Sequence, residues 1–430
     1  MKNILVYPCG TEIGLEIYRA LNNSIHYNLI GGSSSYDHGR FVYKNHIDKL
    51  PFLTDFSTKQ EVIEFNEQIK KYQIDMLYPA MDGMVTLFSK FKNCLSPAVI
   101  AADYETTKIT RSKKLTYKLF SKILPVPQIY TFEEVIKNNT DYPLFLKPDI
   151  GQGSVGTQKI KSLEELKKFK KNDDSQLILE YLPGKEYTID CFTNAEGKLL
   201  YCRGRDRKRI KNGISVNSFF VNRPEFKTYA EIINNTIKQK GGWFFQVKEA
   251  NDGTLKLLEI SSRIAGTSAL TRNVGVNLPL LSANIYNGIP CNDIIVNDYN
   301  IELDRALGNI FKLDIHYDVV YIDYDDTIIN PNNKLNTNVI KFLYQCVNLQ
   351  KKIILLTKHD GDLESDLKKY RIENLFDEII HIEKKDKKTN YIKYKNSIFI
   401  DDSYGERREV KNTFGIDVFD VNNIECLLEE

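Results

Sequence analysis

At 430 residues the chain is long enough for two or three domains, each with its own core. A formal net charge of +2, with lysines and acids interspersed, gives no electrostatic reason to expect nucleic acid or an anionic membrane as partner. With 42% hydrophobic and 27% charged residues and no apolar run able to span a bilayer, the composition is that of a soluble globular chain.

Residues 3–8 read as an apolar strand, too brief for a signal peptide and ended by Pro8. CGTEIG and a helix pattern to about Leu21 follow, then strand 27–31, helix 58–72, strand 74–79 and the loop AMDG. This alternation predicts a small parallel α/β domain over 1–105. The Gly10–Gly14 loop lacks the full G-x-G-x-x-G, so it reads as a tight strand-to-helix turn. Asp82 falls where open α/β sheets place ligand contacts. Seven cysteines stand singly without a C-x-x-C pair, which predicts reduced thiols in a cytoplasmic protein and argues against a structural zinc site.

Over 106–312 the texture changes to shorter strands (144–148, 176–180, 187–192, 198–203, 243–249, 255–261) with helices near 113–123, 162–170 and 228–240, an α+β unit. Lys147 closes the strand PLFLKP and GQGSVG follows at once. The backbone N–H groups of such a loop can wrap phosphate oxygens beside a lysine charge, although a plain glycine-rich hairpin would read the same. In LILEYLPGKEYTID the strand edge at Glu180 can present backbone groups to adenine, and Glu186 can accept from ribose hydroxyls. The run RGRDRKRIKNG offers Arg203, Arg205, Arg207 and Arg209 as anion binders, Arg205 foremost; a solvated charge run is the plainer alternative.

The segment 243–263, WFFQVKEANDGTLKLLEISSR, reads as a hairpin on a two-residue Asp252-Gly253 turn. Counting back pairs Gln246 with Glu259 and puts Leu257, Glu259 and Ser261 on one face, with Lys256, Leu258 and Ile260 on the other. A carboxylate beside oxygen ligands, with Arg263 two residues past Ser261, suits magnesium and phosphate; a surface hairpin with a polar face is the alternative.

In this order SKKLTYKLFSKILPVP, FLKPDIGQGSVG, LEYLPGKEYTID and QVKEANDGTLKLLEISSRIAGTS resemble the ATP-grasp superfamily, in its carbamoyl-phosphate-synthase-like branch, over about residues 1–310. The resemblance implies that Lys113 and Lys147 contact ATP phosphates under the loop of Gly151, Gly153, Ser154 and Gly156. It further implies adenine at Glu180 and the backbone around Leu182, ribose at Glu186, Mg²⁺ on Gln246, Glu259 and Ser261, and Arg263 on the transferred phosphate. This chain has EISSR where the family usually has E-I-N-P-R, so Ser261 replaces an asparagine of the second metal site.

The third unit, 313–430, reads as another parallel α/β sheet: strand 317–323, helix 336–349, strand 352–357, helix 362–370 and strands 378–382 and 397–401. VVYIDYDDTI puts Asp323 and Asp325 at one strand end, KIILLT puts Thr357 at a second, and SIFIDDS puts Asp401 and Asp402 at a third. C-terminal strand ends share one rim, where these carboxylates call for a cation. The Lys-rich stretch 383–395 reads as a solvated helix and loop. The motifs resemble the haloacid-dehalogenase (HAD) superfamily in its phosphatase form. That implies Asp323 as nucleophile, Asp325 as acid then base, Thr357 on phosphate, and Mg²⁺ on Asp323, Asp401 and, less centrally, Asp325 and Asp402. Of Lys384, Lys385, Lys387 and Lys388, the last is chosen as the family's lysine. The intervals Asp323–Thr357 and Thr357–Lys388 are too short for a cap domain.

The expectation is therefore a multidomain α/β protein: a pre-ATP-grasp domain, an α+β ATP-grasp domain and a capless Rossmann-like HAD domain. Its function would be ATP-dependent carboxylate–amine ligation fused to Mg²⁺-dependent phosphate-ester hydrolysis, with Mn²⁺ as a substitute ion. Its partners would be a small carboxylate, an amine and a phosphate ester, with no nucleic acid or membrane and with homo-oligomerisation open. Surface-polysaccharide biosynthesis is a setting by analogy. An ATP-binding sensor governing the phosphatase, and a non-catalytic scaffold, are the rivals.

Overall fold

The computed structural model describes residues 1–50, 59–137, 140–151, 153, 155–169, 175–211, 214–306 and 309–428, and all counts below refer to these. The first sheet holds β1 (Lys2–Tyr7), β2 (Tyr27–Gly32), β3 (Asn45–Ile47), β4 (Met76–Pro79) and β5 (Ala98–Val99), all parallel, in the order β3-β2-β1-β4-β5. The central strand β1 is apolar and buried from Ile4 to Tyr7 because both its faces are covered there. Ile4 and Val6 pack with Ile17, Ala20 and Leu21 of helix Glu12–Leu21; Leu5 and Tyr7 pack with Val62, Phe65 and Phe88 from helices on the other side. Thr11 ends the strand-to-helix turn by capping that helix, its hydroxyl accepting from the Gly14 N–H at 3.0 Å. The Gly10–Gly14 segment is thus a tight turn.

Two antiparallel sheets follow. A four-stranded one has the order β6-β9-β7-β8, from β6 (Ile129–Tyr130), β7 (Leu144–Pro148), β8 (Gln158–Ile160) and β9 (Gln176–Glu180). A larger one has the order β15-β14-β10-β11-β13-β16-β17, from β10 (Glu186–Thr193), β11 (Leu199–Asp206), β12 (Arg209–Lys211), β13 (Ile214–Val221), β14 (Gly241–Glu249), β15 (Leu255–Ser261), β16 (Ile301–Arg305) and β17 (Asn309–Leu313), with β12 on β13. One face of the larger sheet is a core of Ile189, Cys191, Trp243, Phe245, Val247 and Leu257 under helix Pro224–Thr236. Period-2 alternation then turns Thr188, Gln246 and Glu259 to the opposite face. Strands β12, β13, β16 and β17 were not among the strands expected from the sequence.

The hairpin reaches the expected Gln246–Glu259 pair by a different route. Ala250 N–H bonds Thr254 O and Gly253 N–H bonds Ala250 O, so the loop has three residues, with Gly253 at φ +82°. A β-bulge at Leu258 then shifts the register from Val247–Leu257 back to Gln246–Glu259. The bulge also overturns the expected faces: Leu255, Leu257 and Ile260 share the core, while Glu259 and Ser261 line the cleft described below. Buried Tyr117 donates its hydroxyl to the Leu258 carbonyl at 2.7 Å, pinning the bulge from the helix Lys113–Phe120.

The last sheet is parallel, in the order β20-β19-β18-β21-β22, from β18 (Val319–Ile322), β19 (Lys352–Thr357), β20 (Glu378–His381), β21 (Ser397–Ile400) and β22 (Asp417–Phe419). Val320 and Ile322 face one core, and Val319 and Tyr321 another. The first of these cores also contains Ala269, Leu270, Val274, Ile301 and Leu303, so this sheet is packed onto the middle of the chain. Arg272, buried at the junction, donates to Glu16 at 2.9 Å, to the Asn422 carbonyl at 2.9 Å and to Glu425 at 3.1 Å. Three parts of the chain meet on one guanidinium. No helix among the described residues is long and apolar enough to cross a membrane. All seven cysteines are free.

Candidate functional site

Two adjoining clefts, of about 300 and 130 Å³, run between the antiparallel sheets and the rim of the first sheet. Lys113, Gly151, Gly153, Arg207, Gln246 and Glu259 line both. Lys113 opens its helix and its ammonium donates to Asp149 O at 3.1 Å. Burial, reinforced by Lys147, lowers its pKa to about 8. Lys147 Nζ lies 3.7 Å from Glu259 Oε2. The Gln246 carboxamide sits between two partners, its nitrogen donating to Glu259 Oε1 and its oxygen accepting from Arg207, both at 2.9 Å.

The narrower cleft carries Lys147, Glu180, Tyr181, Leu182, Glu186 and Lys248. Glu180 is paired with Lys256, and Glu186 with Arg207 and, at 3.8 Å, Lys248. Gly156 adopts φ +74° with Pro148 beside it, but lines neither cleft. Ser154, expected in the phosphate loop, lies outside the described residues.

The wider cleft brings in Thr11, Glu12, Asp82, Arg111, Thr188, Arg205, Ser261 and Arg263. Asp82 is paired with Arg263 and accepts from Ser261 Oγ at 2.6 Å. Burial alone would raise the Asp82 pKa, but Arg263, Ser261 and Arg111 together hold it below the usual carboxylate range. Asp82 begins the helix Asp82–Lys90 rather than ending a strand, and the Ser261 hydroxyl, expected on a metal, is directed at it. Arg205 is buried in a two-point pair with Asp190, at 2.9 and 3.3 Å, so the cleft's foremost expected anion binder is already matched. Arg203 stacks on Phe220, 3.9 Å from the ring centroid, and Arg209 pairs with Asp304, so the alternate arginines do not act as one face. Arg207 is the run's member that reaches both clefts. Asp82 and Arg207 were candidates in the sequence, whereas Thr188 carries no motif and reaches Glu259 through the β10-β14-β15 pairing.

A second site forms on the rim of the last sheet. Lys388 Nζ lies 2.7 Å from both Asp323 Oδ1 and Asp401 Oδ2. The lysine is buried, in a single turn Lys388–Tyr391, which corrects the expectation of a solvated helix there. Burial opposes its charge, yet Asp401 and Asp323 raise its pKa. Asp323, Asp401 and Asp402 bring one carboxylate oxygen each within 4.8 Å of the others. Burial and then Asp323 push Asp401 up to about 7 and Asp402 up to about 6. An all-oxygen set whose charges are this poorly compensated fits a hard divalent cation. Burial raises the Asp323 pKa, and Lys388 with Thr357, buried at the end of β19, acts against that rise. Asp325 is outside the cluster, contrary to its expected place among the metal ligands. Its half-exposed carboxylate meets His359 Nδ1 at 2.9 and 3.0 Å. His359, whose ring Nε2 is 3.5 Å from Asp366, was not foreseen. A cleft beside Asp402 is walled by Tyr404 and Arg407 on one side and Ile289 and Asp293 on the other. Tyr404 and Arg408 latch Asp293 at 3.1 and 3.0 Å, so a segment from the middle of the chain covers this flank of the rim.

Set against known proteins, residues 172–304 match the model of a family described as ATP-grasp in the biosynthetic pathway with Ter operon. The fold is similar to biotin carboxylase from Campylobacter jejuni, solved as a β,γ-ATP complex (14% identity, 71% of this chain and 75% of that one, TM-score 0.59). It is similar as well to the biotin carboxylase domain of Hydrogenobacter thermophilus 2-oxoglutarate carboxylase with MgADP, ADP and bicarbonate (14%, 71% and 74%, 0.58). N5-carboxyaminoimidazole synthetase from Staphylococcus aureus is a third (14%, 70% and 82%, 0.56). No curated protein matches. An ATP-grasp family model thus covers residues 172–304, and the fold has an ATP-grasp-like architecture.

Proposed function

We propose that this chain is an ATP-dependent carboxylate–amine ligase joined to a Mg²⁺-dependent phosphatase. The observation that carries the first half is the convergence of Lys113, Lys147, Gln246 and Glu259 on one cleft. Lys113 and Lys147 hold the triphosphate, Glu180, Leu182 and Glu186 the nucleoside, and Arg263 the phosphoryl group in transit. The substrate carboxylate oxygen bonds to the γ-phosphorus as the bond to ADP breaks. The amine then bonds to the acyl carbon, phosphate leaves, and the amine gives up a proton. Gln246 and Glu259 offer the oxygens for Mg²⁺, which would neutralise phosphate charge as it shifts.

In the phosphatase half, Asp323 is the nucleophile and Lys388 keeps its carboxylate ionised and aimed. Asp325, held by His359, protonates the departing alcohol and then activates the water that frees Asp323. Asp401 and Asp402 complete the cation site, and Thr357 receives a phosphate oxygen. A fusion of this kind suits consecutive steps on one small metabolite. Incubating the protein with ATP, Mg²⁺ and panels of acids and amines should yield ADP and a new amide; a panel of phosphate esters should release phosphate until Asp323→Asn stops it. Phosphate release unchanged by Asp323→Asn would end the second half of the proposal.

Ser261 Oγ directed at Asp82 favours one rival, the nucleotide sensor, since it takes that hydroxyl away from a second cation. Nucleotide binding without ADP formation across the whole acceptor panel would decide for the sensor.

A further inference from the structure

Apart from both sites, three unlike donors meet beneath the rim of the first sheet. Cys9 follows β1, Asp37 lies in the loop after β2, and His46 is the middle residue of β3. One donor atom from each lies within 4.8 Å of the other two. Cys9 is fully buried and the His46 side chain is only 10% exposed.

The approach depends on bare backbone. A Cβ at Gly10 would stand 2.1 Å from Asp37 Cγ, and one at Gly39 would stand 2.2 Å from Cys9 Sγ. A Cβ at Gly31 would come within 3.0 Å of the same sulfur. Three glycines therefore form a cradle that any side chain would fill. The carboxylate is oriented within it: Oδ2 accepts from Ser33 Oγ at 2.6 Å, and Oδ1 accepts from the Gly39 N–H at 2.9 Å. Ser33 Oγ also lies 3.2 Å from Cys9 Sγ.

The imidazole supplies an independent sign. Neither ring nitrogen of His46 has a hydrogen-bond partner among the described residues, and both are buried. Nδ1 stands 3.2 Å from Asp48 Oδ1, which is half exposed. With Nδ1 facing that carboxylate, Nε2 is the ring nitrogen left buried and unmatched among the described residues, which is costly unless something binds it.

We propose that Cys9, Asp37 and His46 bind a single Zn²⁺ ion. Sulfur, nitrogen and oxygen donors together select a borderline ion such as Zn²⁺ over Mg²⁺, which takes oxygen alone. Bonds of about 2.0–2.3 Å in a tetrahedron put ligands about 3.3–3.6 Å apart, so closure from donors within 4.8 Å needs at most about 1.5 Å of approach. The thiol loses its proton to solvent on binding. A water takes the fourth position, and Ser33 and Asp48 are the outer partners that hold the ligands. Cys9 leads directly to Thr11 and Glu12 on the cleft wall, so the ion braces that wall from behind. Sequence spacing conceals the set because its members lie in or just after three successive strands and contain one cysteine.

The test uses the full chain, stripped by a chelator and reloaded with Zn²⁺ or Co²⁺. One zinc per chain is expected, and the cobalt form should show a near-ultraviolet thiolate-to-cobalt charge-transfer band with the strong visible bands of a four-coordinate ion. Cys9→Ser should abolish the charge-transfer band, while Cys94→Ser should leave it intact. His46→Gln, which keeps the thiol, should weaken cobalt binding by more than about 100-fold, and Asp48→Asn by about 10–100-fold. If Cys9→Ser fails to fold, His46→Gln decides alone. Absence of a thiolate–cobalt band in the unaltered protein, or a band that survives His46→Gln at full affinity, overturns the proposal. None of these readouts depends on ligase or phosphatase turnover.

Discussion

The two candidate sites handle charge in opposite ways. In the cleft of the antiparallel sheets each carboxylate lies against a cation: Asp82 on Arg263, Glu186 on Arg207, Asp190 on Arg205, Glu259 on Lys147. On the rim of the last sheet Asp323 and Asp401 share Lys388, and Asp402 sits beside them with its pKa pushed up by burial and by Asp323. The first arrangement, with Lys113 and Arg111 added, is prepared to accept an anion; the second is prepared to accept a cation. The two candidate pockets in one chain thus need different partners to become charge-balanced.

A crossed pair of substitutions should break the comparison most sharply. Asp323→Asn should abolish phosphate release from esters, by at least ~10³-fold, and leave ATP-dependent ADP formation intact, because the sites share no residue. Glu259→Gln should do the reverse, with ADP formation down about 10²–10³-fold. Assaying both reactions in both variants checks this, and a loss of both reactions in either one would erase the distinction. Next in size is Arg272→Ala, which leaves Glu16 buried without its partner and should cost about 3–5 kcal/mol of stability. Denaturant melts read by probes in the first and last sheets should fall together, since this guanidinium joins both.

The smallest effect sharpens the first site alone. With its pKa lowered to about 8, Lys113 is charged below that pH and loses its proton above it. The kcat/KM for ATP should therefore fall as pH rises through about 8. Lys113→Arg, charged throughout, should carry the plateau to higher pH.

Local pattern carried most of the fold. Strand β1, the 352–357 strand and the helix after CGTEIG were legible because each buries a periodic apolar set. The Gln246–Glu259 pair was legible through two deviations that cancel: the turn is one residue longer than expected, and the Leu258 bulge restores the count. Asp323 and Asp401 could be read because parallel strands end on a common rim, and Lys388 only through the family resemblance. Asp82 on Ser261, and His359 on Asp325, could not, since each contact depends on how distant segments pack. The neutralised Arg205 shows the same limit: a basic run gives charges but not the buried Asp190 that one of them already holds.

The most direct measurement is a crystal structure with Mg²⁺ and a non-hydrolysable ATP analogue. The triphosphate should lie between Lys113 and Lys147, with the cation on Gln246 and Glu259 and the base beside Leu182. Nucleotide bound elsewhere on the molecule, with these four side chains untouched, would contradict it.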